Sequence, residues 1–262
     1  VYGLTPDTCS AECFEHMEKT LNDNFNSVAG AIVEPLIQGA AGMKMYPSIY
    51  LKRFIDTCNN LKIHSIFDEV AVGFGRTGAL FVCQKYKFRP TFLCLSKGLT
   101  SGYLPLAATL TEDKIYEAFY GDFKSLKMFL HSHSYTANPL ACACASETME
   151  MLTENGFFAE LKEKSKLLKE GGNKLETLKN CGKYSQIGMI GRIELMENKN
   201  KKRTFPYEKR MGYKIYLEGL KRGVLLRPLG NVIYFMPPLI ISKSEIEFMT
   251  NTAYDCIKEV FK

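Results

Sequence analysis

The stretch Ile63–Gly78, IHSIFDEVAVGFGRTG, decides the fold that this sequence predicts. It opens with the short, mostly apolar run Ile63–Phe67, which stops at Asp68 and gives way to a loop that contains three glycines. A short apolar run bounded by polar and glycine residues is typical of a strand buried inside a sheet. We therefore predict a strand here with a carboxylate at its carboxyl end.

Similar runs flank this stretch on both sides. Helical spacing of apolar residues separates two of them, in Pro47–Leu61. Strands that alternate with helices predict an α/β domain with a mainly parallel sheet. The chemistry of such sheets gathers at the carboxyl ends of the strands. The predicted strands are Val28–Glu34, Ile63–Phe67, Thr91–Leu95 and Leu106–Leu110, and Glu34, Asp68 and Lys97 stand at such ends.

The pattern changes after Asn138, where strands and helices follow one another in an order that indicates a smaller α+β domain. Leu161, Leu168 and Leu175 repeat at heptad spacing in the helix that links the two parts. We place the boundary near residue 155, giving domains 1–155 and 156–262. The predicted helices are Thr5–Asn24, Pro139–Thr153, Phe158–Leu178, Pro206–Arg222 and Lys243–Phe261, and the late strands are Met189–Leu195, Val224–Pro228 and Val232–Met236.

Composition excludes several classes of protein. The net charge of +6 is modest, and the basic run Lys199–Arg203 is flanked by polar residues, so we expect a solvated loop and no nucleic acid. The nine cysteines are odd in number and irregularly spaced, and Cys142 and Cys144 lie in an Ala-rich run that predicts a buried helix. We therefore expect a reducing, cytoplasmic location. No membrane span and no signal peptide are expected.

Asp68 and Lys97 are the strongest candidates for chemistry. A carboxylate at the end of a buried strand is costly without a cationic partner, and a protonated pyridine nitrogen is such a partner. A lysine at the next strand end can bond to an aldehyde, and Gly98 beside it would let a cofactor approach the backbone. Asp68 capping a loop and Lys97 facing solvent remain open alternatives.

Three other patterns in the sequence bear on ligand binding. The glycines at 73–78 lack both the dinucleotide register and the P-loop ending. The segment His131–Pro139 precedes a helix, which favours either phosphate or ordinary capping, while its two histidines lack neighbouring metal ligands. Arg227 between two apolar runs indicates a carboxylate partner, from a substrate or from a structural ion pair.

Five blocks in order resemble the class III, or ω-aminotransferase, family of pyridoxal-phosphate enzymes. They span nearly the whole chain and keep a separation of 29 positions from Asp68 to Lys97. The resemblance implies the type I fold of pyridoxal-phosphate-dependent transferases, with a large domain and a small C-terminal one. The blocks are VEPLIQGAAGM at 33–43, FDEVAVGFGRTG at 67–78, LSKGLTSGYLP at 95–105, HSHSYTANPLACA at 131–143 and RPLGNVIYFMPPL at 227–239.

The resemblance also implies a role for each matching residue. Lys97 would form the Schiff base with pyridoxal 5'-phosphate and move the substrate proton as general base and acid. Asp68 would bind the pyridinium nitrogen, and Val70 would pack on one face of the ring. Ser134 would donate to the phosphate from the neighbouring subunit, which implies a homodimer. Arg227 would bind the substrate carboxylate.

Within this family the sequence is most similar to the branch that makes 7,8-diaminononanoate in biotin biosynthesis. Ala71 and the run from Arg227 to Pro238 carry that likeness. It implies 8-amino-7-oxononanoate as keto substrate and S-adenosylmethionine, or lysine, as amino donor. Family members extend further at the N-terminus, so we expect this chain to lack the loop for the cofactor phosphate and to hold cofactor weakly alone. Another class III reaction, an aminomutase and an inactive fragment that only dimerises remain alternatives.

Overall fold

The computed structural model describes residues 9–262. Its strands, in chain order, are β1 (Gly30–Val33), β2 (Ile37–Gln38), β3 (Lys44–Met45), β4 (His64–Asp68), β5 (Phe92–Leu95), β6 (Ala108–Thr111), β7 (Ser185–Ile187), β8 (Ile190–Glu194), β9 (Met196–Asn198), β10 (Arg203–Thr204), β11 (Pro228–Leu229) and β12 (Val232–Phe235).

Six of the eight helices in the described residues match predicted ones, whereas the short helices Val82–Tyr86 and Asp113–Ala118 were not predicted. The helices are α1 (Glu15–Asn24), α2 (Ser48–Leu61), α3 (Val82–Tyr86), α4 (Asp113–Ala118), α5 (Pro139–Thr153), α6 (Phe157–Leu175), α7 (Met211–Lys221) and α8 (Lys243–Val260). Short 3-10 turns lie at Glu12–Phe14, Lys97–Thr100, Phe123–Ser125 and Tyr207–Lys209. The first four residues of the predicted helix Thr5–Asn24 fall outside the described residues.

Contacts divide the described chain into two compact units. The first unit holds residues 9–36, 46–74 and 81–154, and the second holds 37–45, 75–80 and 155–262. Two short segments from the first half of the chain therefore pack with the second unit. The predicted domain boundary near residue 155 stays a prediction, because compact packing alone does not demonstrate independent folding.

The first unit is built on one sheet with the strand order β1-β4-β5-β6. β1 pairs parallel with β4, β4 pairs parallel with β5, and β6 is antiparallel to β5. The mainly parallel α/β sheet predicted from the sequence is thus confirmed. The expected full burial of the first strand was wrong, since β1 is an edge strand and Ile32 is 62% exposed.

Helix α5 also differs from its sequence-based prediction. Asn138 accepts hydrogen bonds from Leu140 N and Ala141 N, and Pro139 starts the helix, so its beginning is fixed locally. The helix was expected to be buried, but Cys142 is exposed. Only one face is covered, through Ala141, Thr148 and Leu152. The run of small side chains therefore predicted the helix but not which of its faces is buried.

The second unit combines the antiparallel sheet β11-β12-β8-β7 with α6, α7 and α8. The heptad residues Leu161, Leu168 and Leu175 are all buried in its core, as their spacing predicted. Ser242 and Glu245 form a capping box that starts α8. The predicted strand Val224–Pro228 was wrong, because the chain is irregular there and pairs only from Pro228 onward.

The segment 75–80 is held within the second unit by backbone and side-chain hydrogen bonds. Met189 N donates to Arg76 O at 2.9 Å, and the Arg76 guanidinium donates to Pro237 O. Burial lowers the pKa of Arg76. A Cβ placed on Gly188 would lie 2.4 Å from the carbonyl carbon of Thr77, so this approach requires a glycine. Residues 75–80 of the loop that follows Asp68 therefore belong to the second unit.

The Tyr184 ring packs closely against two glycines of the second unit. A Cβ on Gly172 of α6 would lie 2.1 Å from Tyr184 Cζ, and a Cβ on Gly191 of β8 would lie 2.0 Å from Tyr184 Oη. Both distances are far below van der Waals contact between such atoms. The two glycines thus let the Tyr184 ring fill the space between helix and sheet.

We predict that Gly172→Ala lowers the free energy of unfolding by about 1–3 kcal/mol, because overpacking of a rigid ring outweighs the better helix propensity of alanine. Urea denaturation of the chain measures this change. The matched control is Asn173→Ala, at an exposed position of the same helix, with an expected change within about 0.5 kcal/mol. A Gly172→Ala protein as stable as the wild type would contradict close packing of Tyr184 against Gly172.

Candidate functional site

The carboxyl ends of β4 and β5 bring two of the predicted site residues to one edge of the sheet. Asp68 is the last residue of β4 and pairs in register with Cys94 of β5. Lys97 follows Cys94 by three residues, beyond the end of the same strand. Because β4 and β5 are parallel, their carboxyl ends lie on the same side. An acid and an amine are thus presented at adjacent strand ends.

The Asp68 carboxylate is half-buried and turns back on its own loop. Its Oδ1 accepts a hydrogen bond of 3.0 Å from Val70 N. Glu69 N continues the sheet pairing and donates to Cys94 O at 3.0 Å. The backbone around Asp68 is therefore fixed on both sides of the residue, which orients its side chain at the strand end.

The turn that carries Lys97 is tied down by hydroxyl groups. Lys97 has a positive φ of 44° and begins the 3-10 turn that ends at Thr100. Ser96 Oγ donates to Leu106 O at 2.8 Å, and Thr100 Oγ1 donates to Leu104 O. Ser101 Oγ lies 3.2 Å from Thr148 Oγ1 of α5. The Lys97 side chain itself is exposed, so the turn is held while the amine stays accessible.

Glu69 is a residue that sequence reasoning missed. It is fully buried, and its carboxylate accepts hydrogen bonds from Val82 N at 2.7 Å and Cys83 N at 2.9 Å. Burial and the Glu69 charge raise the pKa of the Cys83 thiol to about 12. Glu69 therefore closes the loop 69–82 onto the start of α3. No local spacing indicates this role, since donor and acceptor are 13 residues apart.

Gly98 has a role that sequence reasoning did not predict. A Cβ on Gly98 would lie 2.8 Å from Phe74 Cβ and Cδ2. The side of Gly98 that lacks a side chain is therefore covered by the Phe74 ring, which is 3% exposed. The glycine is required here by a protein side chain, while the approach of a cofactor to the Gly98 backbone stays a prediction.

Glu34 lies at the carboxyl end of β1, on the same edge of the sheet as Asp68. The Tyr46 hydroxyl donates to Glu34 O, and Tyr46 packs edge-on against Tyr50 at 5.1 Å between ring centroids. Burial raises the pKa of Tyr46. Tyr46 therefore stays a neutral donor that fixes the chain where it leaves the sheet.

Ser134 lies in an exposed turn before α5. Within this turn Tyr135 N donates to His133 Nδ1 at 3.1 Å, and His133 N donates to Thr136 Oγ1 at 3.0 Å. Ordinary capping by Asn138 accounts for the start of the helix. No cluster of metal-ligating side chains occurs among residues 9–262.

Arg227 lies in the second unit, in the irregular segment before β11, and its side chain is exposed. Its guanidinium carbon lies 6.0 Å from the centroid of the Tyr234 ring. Because Arg227 is exposed, desolvation does not force it to have a partner, and the carboxylate partner expected from the sequence stays a prediction. The residue remains a cation open to a solvent-borne carboxylate.

No helix in the described part of the chain has the length and hydropathy needed to cross a membrane.

The class-III aminotransferase family model matches residues 4–257. The adenosylmethionine-8-amino-7-oxononanoate aminotransferase of Geobacter sulfurreducens is 42% identical over 247 residues, which are 94% of this chain and 54% of that protein. The Aquifex aeolicus protein of the same name is 41% identical over 261 residues, covering 100% of this chain and 57% of its own length. The chain thus spans about half the length of these curated relatives.

Solved structures share the fold. The crystal structure of adenosylmethionine-8-amino-7-oxononanoate aminotransferase from Methanocaldococcus jannaschii superposes with a TM-score of 0.91 at 38% identity, over 97% of this chain and 59% of that one. The omega-transferase from Vibrio fluvialis JS17 gives 0.88 at 25% identity, over 99% and 62%. The PMP-bound form of a Vibrio fluvialis aminotransferase gives 0.90 at 25% identity, over 99% and 58%.

The buried Glu69 carboxyl predicts a specific pH dependence of stability. Burial raises the pKa of Glu69 above its ordinary value of 4.5, and hydrogen bonds from Cys83 and Val82 offset only part of that rise. The folded state therefore binds the proton more tightly than the unfolded state. Stability from this group is present below pH 4.5 and is lost as pH rises through the folded-state pKa.

We expect Glu69→Gln to flatten the decline in melting temperature above pH 4.5, because its neutral amide cannot ionise. The measurement is a series of thermal melts across pH 4–8. Glu112→Gln, at an exposed position that pairs with Lys114, is the control and keeps the wild-type slope. A Glu69→Gln slope equal to that of the wild type would contradict the assignment.

Proposed function

Since this chain belongs to the class-III aminotransferase family, we propose that the protein is a pyridoxal-phosphate-dependent aminotransferase. The observation that carries the proposal is the placement of Asp68 and Lys97 at the carboxyl ends of adjacent parallel strands. A carboxylate, an amine and the aliphatic Val70 are the groups that a pyridinium nitrogen, an aldehyde and a ring face require. The donor set therefore fits this cofactor.

Each residue contributes a separate step. The cofactor, when bound, supplies an electron sink for carbanion chemistry. The Asp68 carboxylate would accept from the pyridine nitrogen of the bound cofactor and favour its protonated form. The Lys97 amine would hold the cofactor through its aldehyde, with loss of water, and as a free amine it would take up and return the proton of the substrate α-carbon. Val70, which is half-buried and lies two residues after Asp68, would pack on one face of the ring.

The functional unit that we propose is a homodimer, in which Ser134 donates to the cofactor phosphate of the neighbouring subunit. Support comes from the exposed segment that leads to Ser134. It carries large exposed apolar side chains. Removing their surface from water in an interface would contribute roughly 25 cal/mol per Å² to association. The side chains are Tyr116, Tyr120, Phe123, Leu126, Met128, Phe129 and Leu130, each at least 63% exposed.

The substrates that we propose are those named by the relatives. These proteins are called adenosylmethionine-8-amino-7-oxononanoate aminotransferases, which supports 8-amino-7-oxononanoate as acceptor and S-adenosylmethionine as donor in biotin biosynthesis. Arg227, exposed beside Tyr234, would bind the substrate carboxylate with its planar guanidinium. The nine free cysteines support the reducing environment of the cytoplasm.

A second candidate is transamination of another ω-amino compound. The likeness to the Vibrio fluvialis omega-transferase, with a TM-score of 0.88, favours it because the same fold serves that enzyme. Its sequence identity of 25% is lower than the 42% of the first relative. The diaminononanoate reaction is therefore the leading proposal.

The central prediction concerns Lys97. We expect the whole protein, loaded with pyridoxal 5'-phosphate and reduced with borohydride, to carry the label on the peptide that contains Lys97. Lys97→Ala should lose the label and the absorbance of bound cofactor. Peptide mapping by mass spectrometry makes the measurement.

Lys87→Ala, an exposed lysine that follows α3 in the same unit, is the matched control and should keep the label. Label on a lysine other than Lys97, or on none, would overturn the assignment of the cofactor site.

For the substrate, we expect Arg227→Ala to raise KM for 8-amino-7-oxononanoate by about 10-fold to 100-fold, because a charged hydrogen bond to the carboxylate contributes roughly 1.5–3 kcal/mol. Arg222→Ala is the control, since Arg222 is already paired with Glu218. Steady-state assays with S-adenosylmethionine and with lysine as donors measure both effects. An unchanged KM in Arg227→Ala would exclude this contact, and turnover only with other ω-amino donors would favour the second candidate.

A further inference from the structure

Phe74 links the loop that follows Asp68 to the turn that carries Lys97. A Cβ on Gly98 would lie 2.8 Å from Phe74 Cβ, 2.8 Å from Cδ2 and 2.9 Å from Cγ. Carbon atoms in contact lie about 3.5–4.0 Å apart, so no side chain fits between them. The ring therefore rests directly on the backbone of the residue that follows Lys97.

Phe74 is itself held in place. It is 3% exposed and stacks edge-on with Phe81, with 5.2 Å between ring centroids. Its φ is +55°, a left-handed conformation that costs a residue other than glycine roughly 1–2 kcal/mol. Gly73 N donates to Glu69 O at 2.9 Å immediately before it. A strained backbone persists only where surrounding contacts determine it, and here they place one ring.

The two ends of this loop are also fixed. At its start, Asp68 and Glu69 belong to the pairing of β4 with β5. At its end, the Glu69 carboxylate receives the N–H groups of Val82 and Cys83. Phe74 therefore projects from a closed loop whose origin is Asp68, and it meets the chain again at Gly98.

We propose that Phe74 is a positioning residue, which through Gly98 sets the direction in which Lys97 leaves the end of β5 relative to Asp68. The inference rests on the proposed function, since it concerns the geometry of the same two groups. Lys97 is exposed and carries a long flexible stem, so its own side chain has few contacts to orient it. The direction of the Lys97 side chain must therefore be set by the backbone, which the Phe74 ring contacts at Gly98. A displacement of about 1 Å at a reacting group can cost about 100-fold in rate.

The competing interpretation is that Phe74 only fills the core. Phe54 provides a matched control, because it is 1% exposed and lies on α2 of the same unit. Its ring neighbours Phe67 of β4, with 6.4 Å between centroids, whereas the three atoms nearest to a Cβ placed on Gly98 all belong to Phe74. Phe54→Leu and Phe74→Leu should therefore lose similar packing, while only the second relaxes the Lys97 turn.

The test compares Phe74→Leu, Phe74→Ala and Phe54→Leu in the whole protein with three readouts. Thermal melting reports the loss of packing. In cofactor-free protein, the rate at which acetic anhydride labels Lys97, relative to Lys87 as internal reference, reports the position of the amine. In loaded protein, the pH midpoint of the cofactor absorbance reports the geometry of the group bound to Lys97.

We expect Phe74→Ala to change the relative labelling of Lys97 by about threefold or more and to move the absorbance midpoint, with Phe74→Leu intermediate. Phe54→Leu should lower the melting temperature and leave both other readouts unchanged. Should Phe74→Ala fail to fold, Phe74→Leu carries the comparison. Equal effects of Phe74→Leu and Phe54→Leu on Lys97 would overturn the proposal.

The outcomes for the two proposals are separable. If wild-type protein takes no cofactor on Lys97 while Phe74 variants still alter Lys97 labelling, the proposed function fails and the positioning role stands. If wild-type Lys97 carries the cofactor and Phe74 variants alter neither Lys97 readout, the positioning role fails and the function stands.

Discussion

The parallel pairing of β4 with β5 is the constraint on which the candidate site depends. Its register sets Asp68 opposite Cys94, and Lys97 follows three residues later. A slip by one residue would turn every side chain of the strand to the other face of the sheet, which the buried Phe67 opposes. Backbone hydrogen bonds therefore fix the acid and the amine at one edge before any ligand contributes.

Two neighbouring carboxylates acquire opposite roles from that pairing because strand residues alternate between faces. Asp68 stays half-buried and is available to a cation, whereas Glu69 turns inward and receives two backbone N–H groups. A buried carboxylate is tolerable only with such donors. The loop that follows them brings Phe74 against Gly98. Glu69 and Phe74 together therefore fix the backbone around Asp68.

Local sequence patterns predicted most helices and strands, whereas contacts between distant residues decided the roles of several buried side chains. The strand ends near Asp68 and Lys97, the buried face of α6 and the extent of α8 all follow from spacing within a few residues. The roles of Glu69 and Phe74 do not, because their partners at 82, 83 and 98 are brought near only by the folded loop. The exposed Cys142 and Ile32 were missed for the same reason.

Exposure in the segment before α5 adds a thermodynamic consequence to the proposed dimer. Ser134 lies beside large exposed apolar side chains, so contacts that cover those side chains would also order the turn that carries Ser134. Were Ser134 to donate to a cofactor phosphate across that contact, cofactor binding and association would be linked by mass action. Such a coupling is reciprocal, since a ligand that binds the associated form more tightly strengthens association by the same factor. The site would then gain affinity as the apolar surface is buried, although Asp68 and Lys97 are already set by the sheet.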